Sequence, residues 1–178
     1  MVRIRQAEIE DGSTFLSVLK KMDSETKFML FEPEERTTTV AEQEEIIQRF
    51  KDSPSKRILI AIDEHSGKIM GFTLGVSNEL KRNKHTLYCV IGILQQYTGN
   101  GIGSALLREL EKWAFAAGFH RLELTVMEHN ERAKKLYQYL GFQSEGIRRD
   151  SLKVDGEFIN EIYMSKKKKK KTGHFFIF

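Results

Sequence analysis

Apolar and polar residues alternate from Val2 to Ala7 (VRIRQA), the period-two signature of a strand with one buried face. After Asp11, which is placed to cap, Phe15, Leu16, Leu19 and Met22 recur at helical spacing. Thr39-Val40-Ala41-Glu42 has the form of a capping box, and Ile46, Ile47 and Phe50 carry a second helix onward. Three strand-like runs follow, Arg57 to Asp63, Lys68 to Val76 and Thr86 to Leu94, with a turn at His65-Ser66-Gly67 between the first two. Ile102, Leu106, Leu110, Trp113 and Ala117 share one face of a third helix, closed by Gly118. Arg121 to Met127 (RLELTVM) reads as a strand. Asn130 then caps a fourth helix with Ala133, Leu136, Tyr137 and Leu140 on its apolar face and Gly141 at its end. Two last strands flank Asp155-Gly156, a hairpin signal.

The order is β-α-α-β-β-β-α-β-α-β-β. Three antiparallel strands precede a β-α-β crossover, whose two strands run parallel. The expected fold is α+β, a mixed, mostly antiparallel sheet of about seven strands with four helices.

Composition changes this picture little. The 178 residues are 40% apolar, enough to build the core of one domain. The single cysteine, Cys89, permits no intrachain disulfide, which fits a reducing compartment. The N-terminus lacks the apolar centre of a signal peptide, and no stretch approaches the roughly 20 apolar residues of a membrane span, so a cytoplasmic location is expected. Charge is more informative. Lys166 to Lys171 are six consecutive lysines, and without them the formal net charge falls from +4 to −2. The basicity therefore belongs to the end of the chain. The expected division is a domain over residues 1–165 and a solvated, disordered Lys-rich tail over 166–178, with neither nucleic acid nor membrane as partner. The five histidines show no metal-ligand spacing, and no metal is expected.

Candidate chemistry begins at Gln96 to Leu107 (QYTGNGIGSALL). Gly99, Gly101 and Gly103 lie between an apolar run and a helical pattern, the arrangement that brings backbone N–H groups against a phosphate. A dinucleotide fingerprint would need a glycine where Ser104 stands. The 55 residues after Glu123 also leave no room for a second mononucleotide half. A nucleoside-triphosphate loop would need Lys after its closing glycine, whereas Ser104 and Ala105 follow Gly103. A pyrophosphate held by backbone alone remains.

The segment Thr98-Gly99-Asn100-Gly101-Ile102-Gly103 resembles the acetyl-CoA loop, Arg/Gln-x-x-Gly-x-Gly/Ala, of the GCN5-related N-acetyltransferase (GNAT) superfamily. Asn130 to Tyr137, followed by Gly141-Phe142, resembles that family's Asn-x-x-Ala-x-x-Leu-Tyr-x-x-x-Gly-Phe. The two blocks are 32 residues apart, and the order of elements agrees from Val2 to Met164. The resemblance implies a GNAT-like acyl-CoA N-acyltransferase fold and transfer of acetyl from acetyl-CoA to a primary amine by direct attack. It implies that the fourth and fifth strands splay after Ile93, with backbone groups of Ile91, Gly92 and Ile93 pairing with the pantetheine arm. It implies a pyrophosphate held by N–H groups of Thr98, Gly99, Asn100, Gly101, Ile102, Gly103 and Ser104. Asn130 would touch the cofactor as well as cap its helix. Tyr137 would also touch it and, as general acid, protonate the CoA thiolate, although its spacing equally fits an ordinary apolar-face residue.

One departure bears on function. Thr98 stands where the family has Arg or Gln, so two classes stay open, an acetyltransferase and a catalytically degenerate acetyl-CoA-binding module. The general base is Glu25, Glu128, Glu161 or water, and Cys89 reads as a small core residue. For the acceptor, Asp23 to Thr38 supplies four acids (Asp23, Glu25, Glu32, Glu34) with Phe28, Met29 and Phe31, a set suited to a cationic amine. The block from Gly141 to Met164 resembles the branch that modifies protein N-termini or polyamines. The expected acceptor is thus a polyamine, a protein or peptide N-terminus or another small amine, with a homodimer as one option for assembly.

Overall fold

The computed structural model describes residues 1–169. In chain order its elements are β1 (Val2–Gln6), α1 (Gly12–Glu25), α2 (Val40–Asp52), β2 (Lys56–Asp63), β3 (Ile69–Ser77), β4 (Thr86–Ile93), α3 (Ile102–Ala116), β5 (Arg121–Met127), α4 (Glu131–Tyr139), β6 (Gln143–Val154) and β7 (Glu157–Lys167). The seven strands form one sheet in the order β1-β2-β3-β4-β5-β7-β6. Only β4 and β5, joined through α3, run parallel; the other neighbours are antiparallel, as the pattern of elements requires.

Both faces of the sheet are covered, which explains the near-continuous apolar run in β2. Ile58 and Ile60 face a core shared with Phe15, Leu19, Met22 and Ile47 of α1 and α2. Leu59 and Ala61, one residue out of phase, face a second core with Leu106 and Leu110 of α3 and Tyr137 of α4. The helices are thus split two and two across the sheet.

Local signals settle the ends of the elements. The Thr39 hydroxyl accepts the Glu42 N–H at 3.2 Å, and the Glu42 carboxylate accepts the Thr39 N–H at 2.7 Å, completing the capping box of α2. Asp155 and Gly156, with φ of 52° and 85°, form the β6–β7 turn that favours left-handed residues. Asp11 departs from expectation: its carboxylate does not cap α1. It accepts the Glu8 N–H and two guanidinium N–H groups of Arg5, at 2.6–2.8 Å, because an oppositely charged neighbour competes for it.

The domain boundary moves. β7 continues through Lys166 and Lys167, which pair with Leu122 and Arg121 of β5. The Lys166 ammonium meets Glu111 of α3 at 2.7 Å. Lys168 donates its N–H to the His120 carbonyl at 2.8 Å and its ammonium to the Phe115 carbonyl at 2.7 Å. The tail expected from residue 166 therefore starts inside a strand, and three of its lysines belong to the packed body. The part of that tail over 170–178 lies outside the described residues. Among the described residues no helix is long and apolar enough to cross a membrane.

Candidate active site

β4 and β5 pair only at Thr86–Arg121, Leu87–Leu122 and Tyr88–Glu123, so the strands part after Tyr88, five residues earlier than expected. A hydrogen bond between the Tyr88 hydroxyl and Thr125 Oγ1, 2.8 Å, spans the base of the gap. Beyond it opens a cleft of about 960 Å³. Peptide groups in an antiparallel ladder point alternately to either side. Leu94 donates its N–H to Met70 of β3 at 3.0 Å. By alternation Gly92 also faces β3, opposite Phe72, which leaves Ile91 and Ile93 to present N–H and C=O groups to the gap. Of the three residues expected to pair with the pantetheine arm, Gly92 is therefore corrected. Its part is steric: a Cβ there would lie 2.7 Å from both Met22 Sδ and a Phe72 ring carbon.

The glycine turn follows. Thr98 spends both of its donors on one acceptor, its N–H reaching the Gln95 carbonyl at 3.1 Å and its hydroxyl the same oxygen at 2.6 Å. Thr98 thus closes a 3₁₀ turn and drops out of the expected set of phosphate donors. Gly99 and Gly101 have φ of 86° and 76°, the left-handed region. They turn the chain so that the first N–H used within α3 is that of Ala105, bonded to Gly101. The N–H groups of Gly99, Asn100, Gly101, Ile102, Gly103 and Ser104 have no acceptor among the described residues. Gly103 has a second task, since a Cβ there would lie 3.1 Å from Leu136 of α4. Arg132, which the motif leaves unspecified, reaches over this turn, its Nη2 3.2 Å from where a Gly99 Cβ would be. It has no ion-pair or hydrogen-bond partner among the described residues and lines the cleft.

On the opposite wall, Asn130 Oδ1 accepts the Ala133 N–H at 3.2 Å and caps α4, as its position in the sequence indicates. Tyr137 is 6% exposed and lines the cleft, and its hydroxyl has no protein partner among the described residues. Burial, reinforced by Cys89 and Tyr88, pushes the phenol above its ordinary value. Cys89, 3% exposed, has its thiol pushed up to about 12, chiefly by burial.

The acids are mostly engaged. Glu25 accepts the Gln95 N–H at 2.9 Å and pairs with Lys21 at 3.5 Å. Glu161, 8% exposed, is held by Arg148 and the Ser151 hydroxyl, each at 2.9 Å. Both line the cleft; Glu128, bonded to Asn160, does not. Asp23 is neutralised by Arg36 at 2.6 Å, while Glu32 and Glu34 lie away from the cleft. The acidic set expected to attract a cationic acceptor is not assembled. Gln43, Arg36, Arg132 and Arg148 line the cleft without having been singled out. Gln43 alone had a readable signal, being a polar residue on the apolar stripe of Ile46, Ile47 and Phe50.

Comparison with known proteins gives a consistent result. The model of the acetyltransferase (GNAT) family matches residues 20–142. The L-amino acid N-acetyltransferase AaaT of Escherichia coli (strain K12) is 28% identical over 125 residues, which make up 68% of this chain and 74% of that protein. An acetyltransferase of the GNAT family from Streptococcus pneumoniae superposes with a TM-score of 0.90 at 32% identity, covering 94% of this chain and 99% of its own. An acetyltransferase (yncA) from Salmonella typhimurium, solved with its cofactor acetyl-CoA, shares the fold at a TM-score of 0.83 and 16% identity, over 94% of each chain.

Proposed function

The chain belongs to the acetyltransferase (GNAT) family and is an acetyl-CoA-dependent N-acetyltransferase; we propose that it acetylates a small primary amine by direct attack, with Tyr137 as general acid. The observation that carries this reading is the arc of six unpartnered N–H groups from Gly99 to Ser104, beside a cleft into which an unbonded buried phenol faces. The residues present fit the group. The arc lies at the positive end of α3 and suits a pyrophosphate. Arg132 adds the cation that Thr98, turned inward to Gln95, does not supply. Ile91 and Ile93 offer a free strand edge to the pantetheine arm, and Asn130 stands at the mouth of the gap between them and α4.

Acetyl-CoA supplies the thioester that the amine attacks and from which the CoA thiolate departs. The exposed N–H groups of β4 are placed to polarise a carbonyl lying along that edge. The Tyr137 hydroxyl, with no internal partner to satisfy, is free to donate its proton to the departing sulfur. Glu25 and Glu161 face the cleft with carboxylates that already accept hydrogen bonds, so the proton lost by the amine passes through water to one of these carboxylates or to solvent. The catalytic domain runs from residue 1 through the end of β7.

Incubating the protein with acetyl-CoA and a panel of amines, with detection of free thiol, tests the reading. Thiol release dependent on one class of amine is expected. Tight acetyl-CoA binding with no release on any amine would instead establish a binding module.

A further inference from the structure

The end of the cleft beneath α2 contains a polar side chain with nothing to bond. Gln43 is 3% exposed and lines the cavity, yet its side-chain amide has no hydrogen-bond partner among the described residues. Among the described residues the unbonded side-chain atoms sealed from any space are Arg57 Nε and Asn83 Oδ1. The Gln43 amide is not among them, so it is open to the cavity. An amide held rigidly inside the wall, with no protein partner and its polar atoms open to the cavity, is available to a ligand that displaces the water it would otherwise bond.

Its surroundings define that ligand. Ile46 and Phe50 continue the inner face of α2 beyond Gln43, and Leu74 of β3 faces the same space, giving an apolar wall. Arg36 lines the cavity beside Phe31, its guanidinium 4.2 Å from the ring centre. Asp23 holds Arg36 through Nε and Nη2, at 2.6 and 3.1 Å, which leaves Nη1 uncommitted. Donors therefore outnumber acceptors here, with the Gln43 NH₂ and Arg36 Nη1 against one Gln43 oxygen. Among the described residues the two acids lining the cleft are both paired, Glu25 with Lys21 and Glu161 with Arg148, and Arg36 is paired with Asp23 behind the wall, so no unpaired acid lines it to draw in a polycation. The segment after α1 lines the cleft through Thr26 and Phe28 to Phe31, a compact apolar enclosure tied down by a Lys27–Asp155 ion pair and by Phe28 packed on His129 at 5.2 Å between centroids.

We propose that Gln43 and Arg36 form the anchoring subsite for the acceptor, and that the acceptor is a compact apolar amino acid whose carboxylate they hold. Asp23 is a positioning residue that fixes the Arg36 fork. This rests on the acetyl-transfer reading above and narrows it.

The test compares four acceptors on the full chain with acetyl-CoA: L-leucine, L-leucinamide, 3-methylbutylamine and spermidine. L-leucine is expected to exceed the other three in kcat/KM by about 10- to 100-fold, the worth of hydrogen bonds to a charged group. Gln43→Leu should raise the KM for L-leucine on the order of 10-fold, with acetyl-CoA affinity and the KM for 3-methylbutylamine unchanged. Gln43→Glu, which keeps the shape and adds repulsion, should raise it further and serves if the leucine variant folds poorly. Equal or better use of 3-methylbutylamine or spermidine overturns the subsite while leaving acetyl transfer intact. Better use of L-leucinamide replaces a carboxylate with a peptide-like carbonyl and also overturns it. Loss of acetyl-CoA binding in both Gln43 variants would mark a structural role. No thiol release from any acceptor, with acetyl-CoA still bound, overturns the transfer reading as well.

Discussion

Burial raises the Tyr137 phenol above its ordinary value, so it stays protonated at neutral pH, because the enclosed pocket disfavours the charged phenolate. A high pKa makes a weak acid, but the thiolate it serves would form in the same apolar cleft, where desolvation raises the thiol's pKa too. Tyr137→Phe keeps the ring against Phe142, whose centroid is 6.0 Å away, and deletes only the oxygen. Turnover should fall by about 10² to 10⁴-fold, the usual worth of a positioned acid, with kcat and kcat/KM lowered together. Acetyl-CoA affinity by calorimetry should hardly move; normal turnover would reduce Tyr137 to core packing. Arg132 predicts the opposite split. Arg132→Ala should weaken acetyl-CoA binding by about 10-fold or more, since a charge-assisted hydrogen bond is worth about 1.5–3 kcal/mol. The salt dependence of binding should flatten with it, and a variant that binds as well as wild type would exclude Arg132 from the phosphate site.

At the level of elements, periodicity and caps were legible because they are local. Thr39 and Glu42 are three residues apart, and the β6–β7 turn lies in two adjacent residues. What was not legible depends on partners far along the chain. Lys166 reads as the first of a run of like charges until Glu111, 55 residues away, is brought to 2.7 Å by the packing of α3 on the sheet. Thr98 reads as a shortened phosphate ligand until Gln95 takes both of its donors. Arg121 ties β5 to β6 through Glu145, whose carboxyl is held down to about 2 chiefly by that guanidinium and also by the Ser165 hydroxyl. A carboxyl whose pKa is lowered by folding adds stability above its unfolded value of 4.5, and that stability is lost as pH falls toward 2. Glu145 is 39% exposed, so the effect is screened to about 0.5–1 kcal/mol. Glu145→Gln should therefore be less stable than wild type at pH 7 and converge with it near pH 2, as followed by urea unfolding. A gap that persists unchanged at pH 2 would place the loss in packing instead. Ending the chain at Ser165 removes the last two pairs of β7 and the Lys166–Glu111 contact, and should lower Tm by several degrees, at about 2–4 °C per kcal/mol.

Across the whole molecule, the cleft lies where the sheet fails to close, between a three-pair parallel contact on one side and two separately covered cores. A ligand that lies along β4 and reaches the α3 N-terminus and α4 touches both halves, so it should stabilise the fold as a unit. At 100 times its dissociation constant acetyl-CoA adds about 2.7 kcal/mol, which for a chain of this size is a rise in Tm of about 5–10 °C. NAD and ATP at the same concentration should add much less, because the turn provides an arc of N–H groups without the lysine or the second mononucleotide half those ligands use. Gly101→Val sharpens the test. A Cβ there meets nothing within 4 Å, so the variant suffers no collision inside the protein, only the cost of holding valine at φ of 76°. With the phosphates on this turn as proposed, its branches would compete with them for the open space beside Gly101. The variant should therefore fold with a modestly lower Tm yet lose the acetyl-CoA-dependent rise. A retained rise would remove the glycine turn from the binding site, and equal stabilisation by NAD would remove the selectivity assigned to it.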